Sequence, residues 1–369
     1  MKNRKKQIIP CIFILSVFAL LSVLCYFGPK AEYSESERRP LSGFPVLNVK
    51  NVASGIFMDQ FETYAADTFP FREQFRSLKA CTTLAMGQKA NNDIYYYDGY
   101  LSELEYPMNR DSVCRAAEKF ESIYQQYLTD SSTQVYLSVI PDKNAHLAAD
   151  ADQLTMDYDI FEAEVAAQTS FADYIQISDL LSKEDYYYTD SHWRQEQIID
   201  VAERLLATMN PDQVIPASAY YTCSQAGTDF SGVYKGQSTL PVAGEDLYYL
   251  TSPGIDQLQV FDHEHNQTIP VYDLAKATGR DPYEMYLSGP LSLITIDNPL
   301  SETDRELVIF RDSFGSSIAP LLASGYRRVT LIDIRYLPAA QLGKYIDFSD
   351  CDVLFLYSTS VLNHSETLK

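Results

Sequence analysis

Two short stretches hold residue types that together can carry out acyl transfer. The segment "TDSHW", Thr189 to Trp193, places an acid two positions before one of only five histidines and beside the sole tryptophan of 369 residues. The segment "RDSFG", Arg311 to Gly315, places a serine just after the apolar run "ELVIF". A serine hydroxyl becomes a nucleophile when an imidazole takes its proton, and a carboxylate that fixes the imidazole tautomer makes that base effective. Ser313, His192 and Asp190 are therefore the candidates for nucleophile, general base and orienter. On an extended stretch, residues two apart face the same side, so Asp-x-His spacing can present both side chains to one cleft. A serine opening a helix also sits among unpaired backbone N–H groups and the positive end of the helix dipole, which stabilise an anionic oxygen. Each stretch has a plainer reading. Asp312 or Ser313 can cap a helix through Ile318 to Leu322, and Thr189, Asp190 or Ser191 can cap one beginning near Trp193.

The elements that must position these residues follow from hydrophobic patterning. The run "VYLSVIP" is β-branched and too short for a helix, so it reads as a buried strand preceded by a helix over about 111–129. "LSLITID", "ELVIF", "RVTLIDI" and "DVLFLY" are four further strand candidates near the C-terminus, at least two of them separated by helical stretches. With "VYLSVIP" they predict a mainly parallel sheet flanked by helices, and ligand sites of open α/β sheets lie at the carboxyl ends of such strands. Ile198, Ile199, Val201, Ala202, Leu205 and Leu206 share one helical face. "NDIYYYDGYLSE" predicts a hairpin turning at Asp98-Gly99. Between 215 and 282 the rhythm breaks into Tyr-rich, turn-punctuated segments, read as a β-rich insert. "DHEH", Asp262 to His265, has metal-ligand residue types without a third partner at helical spacing, and reads as a surface hairpin. No phosphate loop, dinucleotide fingerprint or fixed-period repeat is present.

The N-terminus sets the compartment. "MKNRKK" is followed by about twenty apolar residues, enough to cross a bilayer core. No small-x-small cleavage site follows in "LCYFGPKAEY", which favours an uncleaved anchor, a cleaved signal peptide being the alternative. Basic flanks stay cytoplasmic, so the expected protein is a single-pass membrane protein with residues 1–6 inside, 7–28 spanning, 29–56 as a stalk, and the remainder outside. The sheet domain is expected over 57–214 and 283–369, around the insert. The formal net charge of −21 repels phosphates and excludes nucleic-acid binding. Cys81, Cys114, Cys223 and Cys351 lie far apart without zinc-type spacing. They form two disulfides or remain buried thiols, and a domain with a real core requires neither.

With these residues in view, the chain resembles the AlgX/AlgJ-type SGNH-hydrolase-like proteins, relatives of the alginate O-acetyltransferases, and especially the Gram-positive DHHW group. The resemblance rests on "TDSHW" and "RDSFG" in that order, on "FPFREQF" with "IYYYDGYLSE", on "VIPDKNAH" and on "FRDSFGSSIAPLLASGYRRVTLIDIRYL". It spans most of 57–145, 183–210 and 283–358. It implies an SGNH-like α/β fold with a serine acyl-transfer site in permuted order, Asp190 and His192 preceding Ser313. The spacing here is Asp-x-His rather than the Asp-x-x-His of ordinary SGNH enzymes, and their separate glycine and asparagine oxyanion donors have no evident counterpart. The backbone of Ser313 and Phe314 and the side chains of Arg311 and Asn144 are candidate oxyanion donors, with Lys143 a further possible contributor. Trp193, Lys143, His146 and Tyr188 are candidates for lining the substrate cleft. For Trp193 an ordinary core role competes with sugar stacking, and most of the other tyrosines suit strand positions with a wet hydroxyl.

The function so implied is O-acyl transfer, acetyl first, on a cell-envelope polysaccharide, with no cofactor or metal. A multi-pass membrane acyltransferase would deliver the acyl group, because acetyl-CoA is cytosolic. An acetylesterase on the same glycans, or a non-catalytic glycan-binding or scaffold protein, are the alternatives.

Overall fold

The computed structural model describes residues 2–129, 133–211 and 218–369. Positions 215–217 of the expected insert and Met1 of the basic tail lie outside them. Contacts divide the chain into two compact units, residues 1–92 with 235–241, and residues 93–234 with 242–369.

The second unit is a mixed α/β structure around an eight-stranded sheet, whose strands we label β1 (Val135–Ile140), β2 (Asp173–Tyr174), β3 (Gln259–Asp262), β4 (Gln267–Ile269), β5 (Leu293–Asp297), β6 (Glu306–Arg311), β7 (Arg328–Ile332) and β8 (Cys351–Ser358). Their spatial order is β4-β3-β5-β7-β6-β8-β1-β2. The pairs β7-β6, β6-β8, β8-β1 and β1-β2 are parallel. The pairs β4-β3, β3-β5 and β5-β7 are antiparallel. The sheet is thus mostly parallel, as expected, with an antiparallel edge that recruits "LSLITID" as β5. Residues 259–269 of the expected insert supply the two outermost strands of that edge. The short connection between them reverses the chain, so they pair as a hairpin and extend the sheet. The other β part of the insert, Thr222–Phe230 with Glu245–Thr251, pairs as a separate two-stranded ribbon.

The middles of the central parallel strands are mostly apolar, as suits strands with both faces covered. Leu307 and Ile309 of β6 and Leu354 and Leu356 of β8 join one core with Val201, Leu205 and Trp193. Val308 and Phe310, with Val353, Phe355 and Tyr357, join the opposite core with Val113 and Phe120. The first core includes the face of the helix Ile199–Met209, and the second that of the helix Arg110–Tyr127, whose N-terminus is capped by Asn109 Oδ1 accepting from Ser112 N. Ile94–Tyr97 and Tyr100–Glu103 form the expected hairpin, with Asp98 and Gly99 at φ +48° and +91° in its turn. Asp-Gly supplies the two left-handed positions that such a tight turn demands.

Among the described residues one helix, Ile8–Phe27 in the first unit at mean hydropathy 2.8, is long and apolar enough to cross a membrane, a property that an anchor and a signal sequence share. The expected stalk is partly folded. Tyr33–Ser34 pairs antiparallel with Arg39–Pro40, and a short helix spans Val49–Ala53. The cause is Asp67 at the end of the helix Ile56–Asp67. Its carboxylate accepts from Arg39 Nη2 at 2.7 Å, Arg39 Nη1 at 3.0 Å and Ser42 N at 2.9 Å, tying the segment down. Residues 57–92 group with this unit and not with the sheet unit. All six cysteines are free thiols. Only Cys351 of the outer four is buried, since Cys81, Cys114 and Cys223 occupy exposed positions on their elements.

The hydrogen bonds from Arg39 hold the Asp67 carboxyl well below its usual 3.8. A carboxylate depressed on folding contributes stability that is complete above its unfolded pKa and is lost as pH falls below 3.8 toward the folded value. Protection of the amides in the helix Ile56–Asp67, meaning the slowing of their exchange relative to an unstructured chain at the same pH, is expected to fall in the full chain between neutral pH and about pH 3. In Asp67→Asn protection starts lower and that acid-dependent fall is largely gone.

Candidate active site

The serine turn sits at the carboxyl end of β6, where the chain leaves the sheet. The helix Gly315–Leu322 follows immediately, and Asp312 locks the corner. Its Oδ2 accepts from the backbone N and hydroxyl of Ser358, at 2.8 and 2.7 Å, at the end of the neighbouring β8. Its Oδ1 accepts from Phe314 N at 3.0 Å. Asp312 is thus the turn's brace, and Ser313 is left half-buried.

The acid and the histidine arrive on a loop folded back on itself. Tyr186 and Trp193 bridge antiparallel, and Tyr187 N donates to His192 O at 3.1 Å. The segment between them is bent rather than extended. The bend explains how a one-residue gap suffices: Asp190 Oδ1 accepts both the backbone N–H of His192, at 3.1 Å, and its Nδ1, at 2.6 Å. With Nδ1 donating to a carboxylate, Nε2 is free to accept, and Ser313 Oγ lies 2.7 Å from it. Sequence positions 121 apart thus form one unbroken relay of serine, imidazole and carboxylate. No helix begins at Trp193. A 3₁₀ turn covers Gln195–Gln197 and the α-helix starts at Ile199, so no residue of 189–191 caps it.

Asp190 has no exposed surface, so its second oxygen also needs a donor, and Val233 N supplies one at 2.8 Å. Around it the loop backbone is gripped from both polarities. Lys143 Nζ donates to the carbonyls of Tyr187 at 2.6 Å and Asp190 at 2.8 Å. Glu245 accepts from Tyr188 N and Thr189 N, each at 2.8 Å, and from the Thr189 hydroxyl at 2.9 Å. Burial lowers the Lys143 pKa and raises that of Glu245, while each charge favours the ionised form of the other. Tyr283 completes the cradle by stacking on the imidazole, centroids 3.8 Å apart and rings 8° from parallel. Its hydroxyl donates to Ser317 Oγ at 2.8 Å.

Several expected site residues turn out to do other work. Trp193 is fully buried, donating through Nε1 to Ser317 Oγ at 2.8 Å, and is a core residue beneath the serine turn. Lys143 is buried and turned on backbone carbonyls, so it holds the loop instead of lining a cleft. The Asn144 side chain is enclosed, accepting from Tyr95 at 3.0 Å and facing Thr155 and Tyr158. Arg311 is buried with its Nη groups on the carbonyls of Asp312 and Leu291, and burial lowers its pKa. Phe314 N is occupied by Asp312. Of the candidate oxyanion donors, the Ser313 N–H is not committed in this way, and the buried Nε of Arg311 is also without a partner. His146 lies half-buried against Tyr186 with ring centroids 5.7 Å apart, and burial lowers its pKa. Tyr188 is 41% exposed and tilts against Tyr100 at 4.5 Å, which suits a ring available to a ligand. In "DHEH", Asp262 accepts from His265 Nδ1 at 2.7 Å and from two turn amides, as in a closed hairpin turn.

Glu245, Tyr283 and Gly232 went unrecognised in the sequence. Glu245 lies in the insert with no motif around it, and Tyr283 follows only a local signal, Asp281 capping a turn that begins at Pro282. Gly232 packs so closely that a Cβ there would come within 2.4 Å of the Asp190 backbone.

The site is thus a serine, histidine and aspartate relay at a strand end of a mostly parallel α/β sheet. Compared by sequence, the chain matches no family model and no curated protein. Compared by structure, it is similar to a DHHW family protein from Eubacterium siraeum, with TM-score 0.60 and 16% identity over 75% of this chain and 95% of that one. It is similar also to Bacillus cereus PatB1 solved with a sulfonyl adduct, at TM-score 0.59 and 19% identity over 74% and 97%. The O-acetyltransferase domain of Pseudomonas putida AlgJ aligns at TM-score 0.43 and 11% identity over 73% and 92%. The chain thus shares the fold of the DHHW protein and PatB1, in keeping with the resemblance carried by its motifs.

A methyl at Gly232 must push the Asp190 loop. Gly232→Ala is expected to retain the fold by circular dichroism yet lose reactivity of Ser313 toward a sulfonyl fluoride by at least roughly tenfold, a small part of what mispositioning a catalytic group can cost. Glu245→Gln, which keeps the shape but weakens acceptance from three donors, is expected to lie between it and the wild type.

Proposed function

We propose that the protein is an extracytoplasmic, serine-dependent O-acyltransferase, acting most simply with acetyl, on a cell-envelope polysaccharide. The observation carrying this reading is the relay itself, 2.7 Å from Ser313 Oγ to His192 Nε2 and 2.6 Å from Nδ1 to Asp190, at a strand end where the serine is half-buried. His192 takes the hydroxyl proton as Ser313 Oγ attacks the acyl carbon, and buried Asp190 stabilises the imidazolium. The anionic oxygen meets the Ser313 N–H at the head of the helix Gly315–Leu322. Collapse of the intermediate expels the donor's alkoxide, which takes the proton from His192 and leaves an acyl-serine. A sugar hydroxyl, deprotonated by His192, then attacks the acyl-serine; the acyl–Oγ bond breaks, the sugar leaves with the acyl group, and Ser313 Oγ takes the proton back from His192. Water in place of the sugar would give an acetylesterase.

The apolar N-terminal helix with its basic flank supports an anchored chain whose sheet unit faces outward. Acyl thioesters of the cytosol do not reach that side, so the donor calls for a membrane-embedded acyltransferase partner. Exposed Tyr188 is the ring suited to a sugar face. The fold shared with PatB1, solved with a sulfonyl adduct, supports the same class of chemistry.

A sulfonyl fluoride or fluorophosphonate is expected to modify the full chain once, at Ser313. The label is absent in Ser313→Ala, and labelling falls roughly 10²- to 10⁴-fold in His192→Ala, the scale of lost general-base catalysis. Envelope glycan acetylation is expected to fall in parallel. Unlabelled wild type together with unchanged acetylation in Ser313→Ala would replace the enzyme with a scaffold.

A further inference from the structure

The first unit carries an apolar surface that the chemistry above does not use. Along the helix Ile56–Asp67, Phe57, Phe61 and Tyr64 recur at a spacing that places them on one face, while Asp59 and Glu62 lie off it. Phe44 packs edge-on against Phe61 at 6.1 Å and Tyr64 at 5.3 Å, yet remains 63% exposed. Nearby, Val46, Leu47, Val49, Ile56 and Met58 are exposed as well. An apolar area of this kind is costly in water and marks a surface that is normally covered.

What covers it is indicated by the opposite wall. Phe44, Phe61 and Phe69 line one side of an open groove whose other side is Phe18, Leu21 and Tyr26 of the apolar N-terminal helix. Phe18 lies nine residues before the end of that helix at Phe27, roughly 14 Å along its axis at 1.5 Å per residue. When the helix spans a bilayer, this wall is bathed in acyl chains, and the facing wall shares its medium. Lys30, the first charged residue after the apolar run, stands over the Tyr64 ring at 4.7 Å and donates to its hydroxyl. A cation and a tyrosine hydroxyl beside apolar rings is the chemistry of the headgroup level, where aromatic residues collect.

We infer that the aromatic face of Phe44, Phe57, Phe61 and Phe69 beds in the outer headgroup and acyl boundary of the membrane, with lipid chains filling the groove against the spanning helix. This rests on the anchored reading and is independent of the acyl chemistry. The unit is then a lipid-embedded foot, bound by apolar area in addition to its single helix.

The test uses the full chain in phosphatidylcholine nanodiscs, with lipid either unmodified or brominated near the top of the acyl chains. Trp193, fully buried, gives the wild type a constant background. The additional emission of Phe61→Trp, and separately of Phe44→Trp should one variant fold poorly, is expected to drop at least roughly twofold in brominated discs, as for a ring at the acyl boundary. Emission equal in both lipids, with the chain still held in the disc, overturns the inference and leaves a protein partner as the cover. A chain released from native membranes by carbonate overturns both the anchor and the docking, whatever its reactivity at Ser313.

Discussion

A carboxylate without exposed surface has to be surrounded by donors, and the second unit is organised around that requirement at Asp190. His192 contributes its backbone N–H and its ring, and Val233 contributes an amide to the far oxygen. Leaving such a group unsatisfied would cost several kcal/mol, so the loop has one geometry in which it is tolerable, and in that geometry the imidazole is aimed. Lys143 and Glu245 extend the same logic outward, taking up the loop's carbonyls and amides that the bend leaves unpaired.

The sheet supplies the other half of the encounter. Parallel strands buried on both faces fix β6 against β7 and β8, and Asp312 ties the end of β6 to Ser358 at the end of β8. Placement of the serine hydroxyl is therefore inherited from the most rigid part of the fold. Beneath it, Ser317 gathers the Trp193 indole and the Tyr283 hydroxyl, so the histidine's loop, its stacking partner and the serine helix meet at one buried oxygen.

Much of this was legible in the sequence because the signals were local. Apolar runs of strand length gave β1 and β5 to β8, Asp98-Gly99 gave its turn, and acid, histidine and serine stood out by type and spacing. The misreadings have physical causes. Asp-x-His was read as an extended stretch, whereas a side chain closing on the backbone two residues later makes a bend. For Trp193 the structure shows the core alternative, and Lys143, a cleft candidate by type, is consumed inside as well, because burial is decided by partners distant in sequence. Glu245 and Tyr283 matter only through contacts made after folding, about 55 and 90 residues beyond the loop they hold, and no local pattern announces such contacts. The insert's last strands extend the sheet because an edge accepts whichever segment can pair with it.

The stacking of Tyr283 on His192 has a consequence for traffic. One broad face of the imidazole is sealed by a buried phenol, and Phe314 stands 4.9 Å away at a steep tilt. The rim of the ring at Nε2 faces Ser313 Oγ, 2.7 Å away. On the acyl-transfer reading, donor and acceptor alcohols must queue for the same narrow berth, and the first must depart before the second docks.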